Sequence, residues 1–191
     1  MAASGRLRII GGQWRGRKLT FAPLEGLRPT PDRVRETLFN WLGPRLPGAR
    51  CLDLFAGSGA LGLEALSRGA GEVVFVERHP TVVRQLQDNL ILLGGSGGQV
   101  VHDDALAWLE RQSPLAYDIV LLDPPFALGL LSQVCSRLEN RGWLAPRARI
   151  YLESDPAAQV TLPDNWTILR EKRAGQVRYR LAVRESTDTA A

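Results

Sequence analysis

The chain reads as a doubly wound α/β domain with a mostly parallel, seven-stranded sheet, completed by a C-terminal antiparallel hairpin and preceded by an N-terminal β-hairpin and helix. Three observations carry that expectation. From residue 50 onward five short apolar runs, CLDLF, EVVFVE, GQVVH, YDIVLLD and ARIYLE, alternate with amphipathic stretches of helical length, which is βαβ repetition. The runs are nearly continuous in apolar residues, as strands covered by helices on both faces must be. Two further runs, WTILRE and QVRYRLAV, flank the basic turn Lys172-Arg173-Ala174-Gly175 and form a hairpin that finishes the sheet.

The elements follow in order. Residues 6–20, RLRIIGGQWRGRKLT, are two apolar-basic runs around Gly11-Gly12, a β-hairpin or extended arm. After a Pro/Gly loop, Thr30-Pro31-Asp32 is a helix start: a capping hydroxyl, a proline in the first turn and an acid at the positive end of the helix dipole. Val34, Leu38, Trp41 and Leu42 recur at helical spacing until Gly43-Pro44 ends the helix. In 80–93, Val82, Leu86, Leu90 and Leu93 make one apolar stripe, ended by Gly94-Gly95, with GSGG at 95–98 as a flexible connector. The closing ESTDTAA is expected to be disordered. The expected division is a basic extension over 1–47, a catalytic body over 48–185 and a tail over 186–191.

Length and composition narrow the function. A chain of 191 residues makes one domain, and its 45% hydrophobic and 23% charged fractions are those of a globular protein. No apolar run approaches the roughly 20 residues that span a bilayer, and MAASGRLRIIGG has no apolar core of a secretory signal, so a cytoplasmic protein is expected. Two cysteines, Cys51 and Cys135, and two histidines, His79 and His102, stand apart in sequence, so no metal site is expected. Through Pro47 there are nine Lys or Arg against three acids, whereas the remainder has 15 basic against 17 acidic residues. That asymmetry describes a polyanion-binding flank on a near-neutral body.

In such a sheet ligands bind beyond the carboxyl ends of the strands, so the loops there carry the chemistry. After the first strand comes Asp53-Leu54-Phe55-Ala56-Gly57-Ser58-Gly59-Ala60-Leu61-Gly62. Gly57 and Gly59 let the backbone turn beside a ligand, and Gly62 permits close helix-strand packing. The glycine spacing alone suits a nicotinamide dinucleotide equally well. Asp53 separates the two: a carboxylate repels a pyrophosphate and favours the ammonium and sulfonium of S-adenosylmethionine. Glu77, closing EVVFVE, can accept hydrogen bonds from both ribose hydroxyls of either ligand. In Asp103-Asp104-Ala105 one acid can accept from an adenine amino group, or cap the helix that follows. Asp123-Pro124-Pro125-Phe126 is the most specific motif: two prolines stiffen the loop and leave the Pro124 carbonyl without a regular partner. Asp123 and that carbonyl can grip the two hydrogens of an exocyclic amine while Phe126 stacks on the base.

With DLFAGSGALG, Glu77, DDA and DPPF in this order, the chain resembles Rossmann-like class I S-adenosylmethionine-dependent methyltransferases of the D/N-PP-F/Y type. RIIGGQWRGRKL and RPTPDRVRETLFNWL resemble more narrowly the RsmD family, bacterial enzymes acting on guanine N2 of 16S ribosomal RNA. The resemblance implies that Asp53, Phe55, Ala56, Gly57, Ser58, Gly59, Glu77, Arg78, Asp104, Ala105 and Asp123 contact S-adenosylmethionine. It implies that Asp123, Pro124, Pro125 and Phe126 form the catalytic loop, and that Arg15, Arg17, Lys18, Arg33 and Arg35 grip RNA. A monomer acting on 16S RNA, in an assembling or assembled 30S particle, is the expected context. Three alternatives stay open: a nicotinamide oxidoreductase, a non-catalytic RNA-binding module, and a methyltransferase acting on adenine N6 or another amino group.

Overall fold

A computed structural model describes residues 5–21 and 29–185. β1 (Gly5–Arg8) and β2 (Lys18–Phe21) pair antiparallel as a separate ribbon, Gly5 opposite Phe21 and Arg8 opposite Lys18. After α1 (Asp32–Leu42) come β3 (Arg50–Asp53), α2 (Ala60–Ser67), β4 (Glu72–Glu77), α3 (Pro80–Leu93), β5 (Gly98–His102) and α4 (Ala105–Arg111). The chain continues through β6 (Tyr117–Leu122), α5 (Leu131–Asn140), β7 (Leu144–Ser154), β8 (Trp166–Ala174) and β9 (Val177–Arg184).

The seven strands of the main sheet run in the order β5-β4-β3-β6-β7-β9-β8. β3 to β7 are parallel, while β9 lies between β7 and β8 and is antiparallel to both. The expected hairpin therefore joins the sheet through its second strand. Strand order reverses between β3 and β6, which places a ligand crevice above their carboxyl ends.

α2 explains how the N-terminal segment is held. Every one of its residues is buried, so the face turned away from the sheet must be covered by protein. The segment joining β1 to β2 does this. Ile10 and Gly11 donate their N–H groups to the Glu64 carboxylate at 2.9 and 2.7 Å, and Trp14 N–H donates to the Ser67 hydroxyl at 3.0 Å. Leu7, Ile9, Trp14 and Leu19 enter the same apolar cluster as Val34 and Leu38 of α1 and Leu63 of α2. A second cluster, built from α4, α5 and the strands facing them, fills the other side of the sheet.

Two expectations for this region are corrected. Thr30 does not cap α1: the helix starts after Pro31 with no side-chain cap, and the Thr30 hydroxyl points to Asp123 instead. Arg35 does not face RNA. Only 1% exposed, it donates to the Thr30 carbonyl at 3.1 Å and the Arg8 carbonyl at 2.9 Å, and pairs with Asp32 at 2.6 Å and Glu64 at 3.3 Å. A guanidinium this enclosed is retained because its partners neutralise and hydrogen-bond it. The Pro/Gly loop at 22–28 and the tail at 186–191 lie outside the described residues. Among the described residues no helix is long and apolar enough to cross a membrane.

Candidate active site

A cleft of about 600 Å³ opens at the carboxyl ends of β3, β4, β6 and β7, within the size range of small-ligand sites. Asp53 ends β3 at the back of it, 2% exposed, and accepts the Gly62 N–H at 2.9 Å from the first turn of α2. Between them the chain turns through Gly57 at φ 50° and Gly59 at φ 78°, left-handed values that favour glycine. Phe55, Ala56, Gly57 and Ser58 line the cleft; Gly59 lies behind its wall, closing the turn with an N–H donated to Ala56 at 2.7 Å. Gly62 packs on Phe75 of β4, where an added Cβ would fall 2.2 Å from the ring.

Glu77, at the end of β4, accepts the N–H groups of Gly57 and His79 at 2.9 and 2.8 Å, one on each carboxylate oxygen. These bonds fix its orientation and leave each oxygen lone-pair capacity for a ribose hydroxyl. Arg78 and Ala105 line the same wall. Asp104 caps α4 through Oδ1, accepting from Leu106 at 3.0 Å and Ala107 at 3.1 Å, so its Oδ2 is the atom left for a base amine. Asp103 accepts the Asp104 N–H at 2.7 Å and pairs with Arg111.

Asp123 follows β6, half-buried, with Thr30 donating to its Oδ2 at 3.4 Å. Among the described residues no backbone donor reaches the Pro124 carbonyl, whereas the Pro125 carbonyl accepts from Leu128 at 3.1 Å and closes a 3₁₀ turn over Phe126–Leu128. That turn leaves Phe126 on the cleft rim, 39% exposed.

Among the described residues six acids line the cleft, Asp53, Glu77, Asp103, Asp104, Asp123 and Glu153, against the guanidinium of Arg78. Burial pushes Asp53 up to about 7, against the N–H of Gly62, with Asp123 and Glu77 adding to the rise. Burial likewise raises Asp123 to about 6, against the Thr30 hydrogen bond, and Glu153 to about 8, with Asp123 contributing. Carboxyls in this condition gain most from a ligand that brings a positive centre, and the lining fits a sulfonium and an ammonium.

Arg15, Arg17 and Lys18, beside and at the start of β2, and Arg33 of α1 are exposed; Arg17 also donates to the Leu92 carbonyl at 3.2 Å. Thr30, Tyr151 and Glu153 were not among the expected site residues. Glu153 carries the same signal as Asp53 and Glu77, an acid closing an apolar strand.

The family described as "Conserved hypothetical protein 95" matches residues 7–183. The chain is 53% identical to ribosomal RNA small subunit methyltransferase D of Escherichia coli K12 over 186 residues, 97% of this chain and 93% of that protein. It is 50% identical to the protein of the same name from Haemophilus influenzae over 182 residues, covering 94% of each. The solved structure of yhhF from Escherichia coli superposes with a TM-score of 0.88 at 51% identity, over 95% of this chain and 99% of that one.

Proposed function

The chain belongs to the RsmD family of ribosomal RNA small subunit methyltransferases, and from that premise we propose that it methylates guanine N2 of 16S ribosomal RNA. The methyl donor is S-adenosylmethionine. The proposed context is a cytoplasmic monomer working on an assembling or assembled 30S particle, with residues 1–47 as the RNA-binding extension of a catalytic body spanning 48–185. One observation supports this reading most strongly: desolvated carboxyls, Asp53, Asp123 and Glu153, converge on one cleft beside an Asp-Pro-Pro-Phe turn. A nicotinamide dinucleotide would bring its pyrophosphate to this acidic lining and be repelled.

Bound in the cleft, S-adenosylmethionine supplies an electrophilic methyl group whose bonding electron pair leaves with sulfur. Asp53 faces the ammonium of the methionine part, the turn at Gly57 and Ser58 lies alongside it, Glu77 takes the ribose, and Asp104 and Ala105 take the adenine side. Asp123 and the Pro124 carbonyl grip the two hydrogens of the guanine amine, and Phe126 stacks on the ring. The N2 lone pair is delocalised into the base. Drawing its hydrogens toward an anion and a carbonyl favours a tetrahedral nitrogen and stabilises the positive charge that develops there, which is discharged when the methylated nitrogen gives up one proton to the Asp123 carboxylate or to water. Holding nucleophile, carbon and leaving group in line is the larger part of the catalysis. The base must leave its stack to enter, and Arg15, Arg17, Lys18 and Arg33 hold the flanking phosphates.

The test uses small subunits from cells lacking this modification, incubated with the protein and methyl-labelled S-adenosylmethionine and then digested to nucleosides. Label in N2-methylguanosine of 16S RNA is expected. Label in N6-methyladenosine, or in ribosomal protein, would overturn the assignment.

A further inference from the structure

Behind Asp123 stands a second acid to which the methyl-transfer scheme gives no task. Glu153, near the end of β7, is 3% exposed and accepts the Tyr151 hydroxyl on Oε1 at 2.7 Å. Thr30, 5% exposed, donates to Asp123 Oδ2 at 3.4 Å, and Thr30, Asp123 and Glu153 line the same cleft. Thr30 is anchored in turn, because Arg35 holds its carbonyl at 3.1 Å and is fixed by Glu64 and Asp32. A continuous polar chain thus runs from the N-terminal segment to the substrate-facing carboxylate.

The proton count of this chain is restrictive. A hydroxyl has one proton, so Thr30 donates to Asp123 or to Glu153 and not to both. Two carboxylates sharing one desolvated pocket do not both ionise without cost. Two arrangements satisfy every atom, one with the proton on Asp123 and one with it on Glu153; only the second leaves an anion facing the substrate amine, with Tyr151 donating to Glu153, protonated Glu153 donating to the Thr30 oxygen, and Thr30 donating to Asp123. The geometry points to Thr30 and Glu153 as positioning residues for methyl transfer, which together hold Asp123 as an oriented anion and leave its Oδ1 for the substrate amine.

The environments agree with this order. Burial raises both carboxyls, and Glu153, 3% exposed where Asp123 is half-buried, is the more desolvated of the two and the better holder of the shared proton. The other groups facing the pair are Asp53 across the cleft, Tyr151 on β7, Tyr179 on β9 and, through Thr30, the Arg35 guanidinium. Above about pH 8, ionised Glu153 competes for the Thr30 proton and sets a second negative charge beside Asp123.

The substrate side of this inference rests on the guanine reading above, so the experiment has two arms. In the first, methylation of small subunits is measured at saturating substrates. Thr30→Val is expected to lower kcat by about tenfold to a hundredfold, with KM for RNA and donor affinity little changed, and Thr30→Ser to restore it. Glu153→Ala is expected to lose rate that Glu153→Gln recovers, and the Gln variant is expected to lack the alkaline fall of the parent. In the second, carboxyl carbon-13 resonances of the protein alone are followed against pH, and Asp123 is expected to titrate below Glu153. Full kcat in Thr30→Val, an inactive Glu153→Gln at every pH, or Asp123 titrating last would overturn the inference. A parent protein that transfers no methyl to RNA would overturn the guanine reading, while the titration order would still decide the carboxyl pair.

Discussion

The Nε of Arg35 donates to the Thr30 carbonyl at 3.1 Å, and the Thr30 hydroxyl donates to Asp123 at 3.4 Å. The N-terminal segment that brings the exposed basic residues is therefore tied, through one residue, to the carboxylate of the Asp-Pro-Pro-Phe turn. Arg35 does this work from the interior, where it also bonds the Arg8 carbonyl, Asp32 and Glu64.

Arg35 and Arg17 should separate cleanly. Arg35→Ala strands Glu64 as a buried charge short of a partner, with an expected loss of about 3 to 5 kcal/mol of stability by chemical denaturation. Arg17→Ala should leave the melting temperature unchanged, weaken RNA binding and reduce its salt dependence by about one counterion.

Donor binding should depend on Asp53 and on pH. In the free protein Asp53 is raised to about 7, and a bound cation favours its ionised form, so binding releases protons. Affinity for S-adenosylmethionine, measured by calorimetry, should rise from about pH 6 to about pH 8 and then level off. Asp53→Asn should weaken it by roughly tenfold at about pH 8 and flatten the dependence.

Stability should move in the opposite sense. Asp123, Asp53 and Glu153 are raised to about 6, 7 and 8, so between the ordinary carboxylate range and these values the folded state holds protons that the unfolded chain has released. Folded-state proton excess means that stability falls as pH rises through this window. Asp53→Asn removes one contribution, and at about pH 8 it should melt above the parent by calorimetry, with a smaller difference at about pH 5.

The proposed catalytic loop, Asp123 to Phe126, should divide chemistry from base capture. Asp123→Ala should lower kcat by about a hundredfold or more with donor affinity nearly intact. Phe126→Ala loses base stacking of about 1 to 3 kcal/mol in kcat/KM, which Phe126→Tyr should largely recover.

The βαβ body was legible because buried strands and helix stripes leave strong local patterns: the stripe Val82, Leu86, Leu90, Leu93 lies on the inner face of α3, whose bounds are Pro80–Leu93. Asp53, Glu77 and Asp123 were legible for the same reason, each standing where an apolar strand stops. Glu153 closes a strand in the same way, but its importance depends on β7 lying beside β6, a neighbour relation that is not local. Thr30 was misread because a helix cap and a hydroxyl aimed at a carboxylate look alike over three residues, and the partner is 93 positions away. Arg35 was misread as surface charge, although its phase, three residues before Leu38 and seven before Leu42, sets it on the buried face of α1. The inward order of β9 ahead of β8 had no local signal at all.

The most direct test is a crystal structure of the protein soaked with S-adenosylmethionine. The expected result is the methionine ammonium against Asp53, the ribose on Glu77, and the methyl directed at the space between Asp123 and the Pro124 carbonyl. A donor bound outside this cleft, or a methyl turned away from the Asp-Pro-Pro-Phe turn, would contradict it.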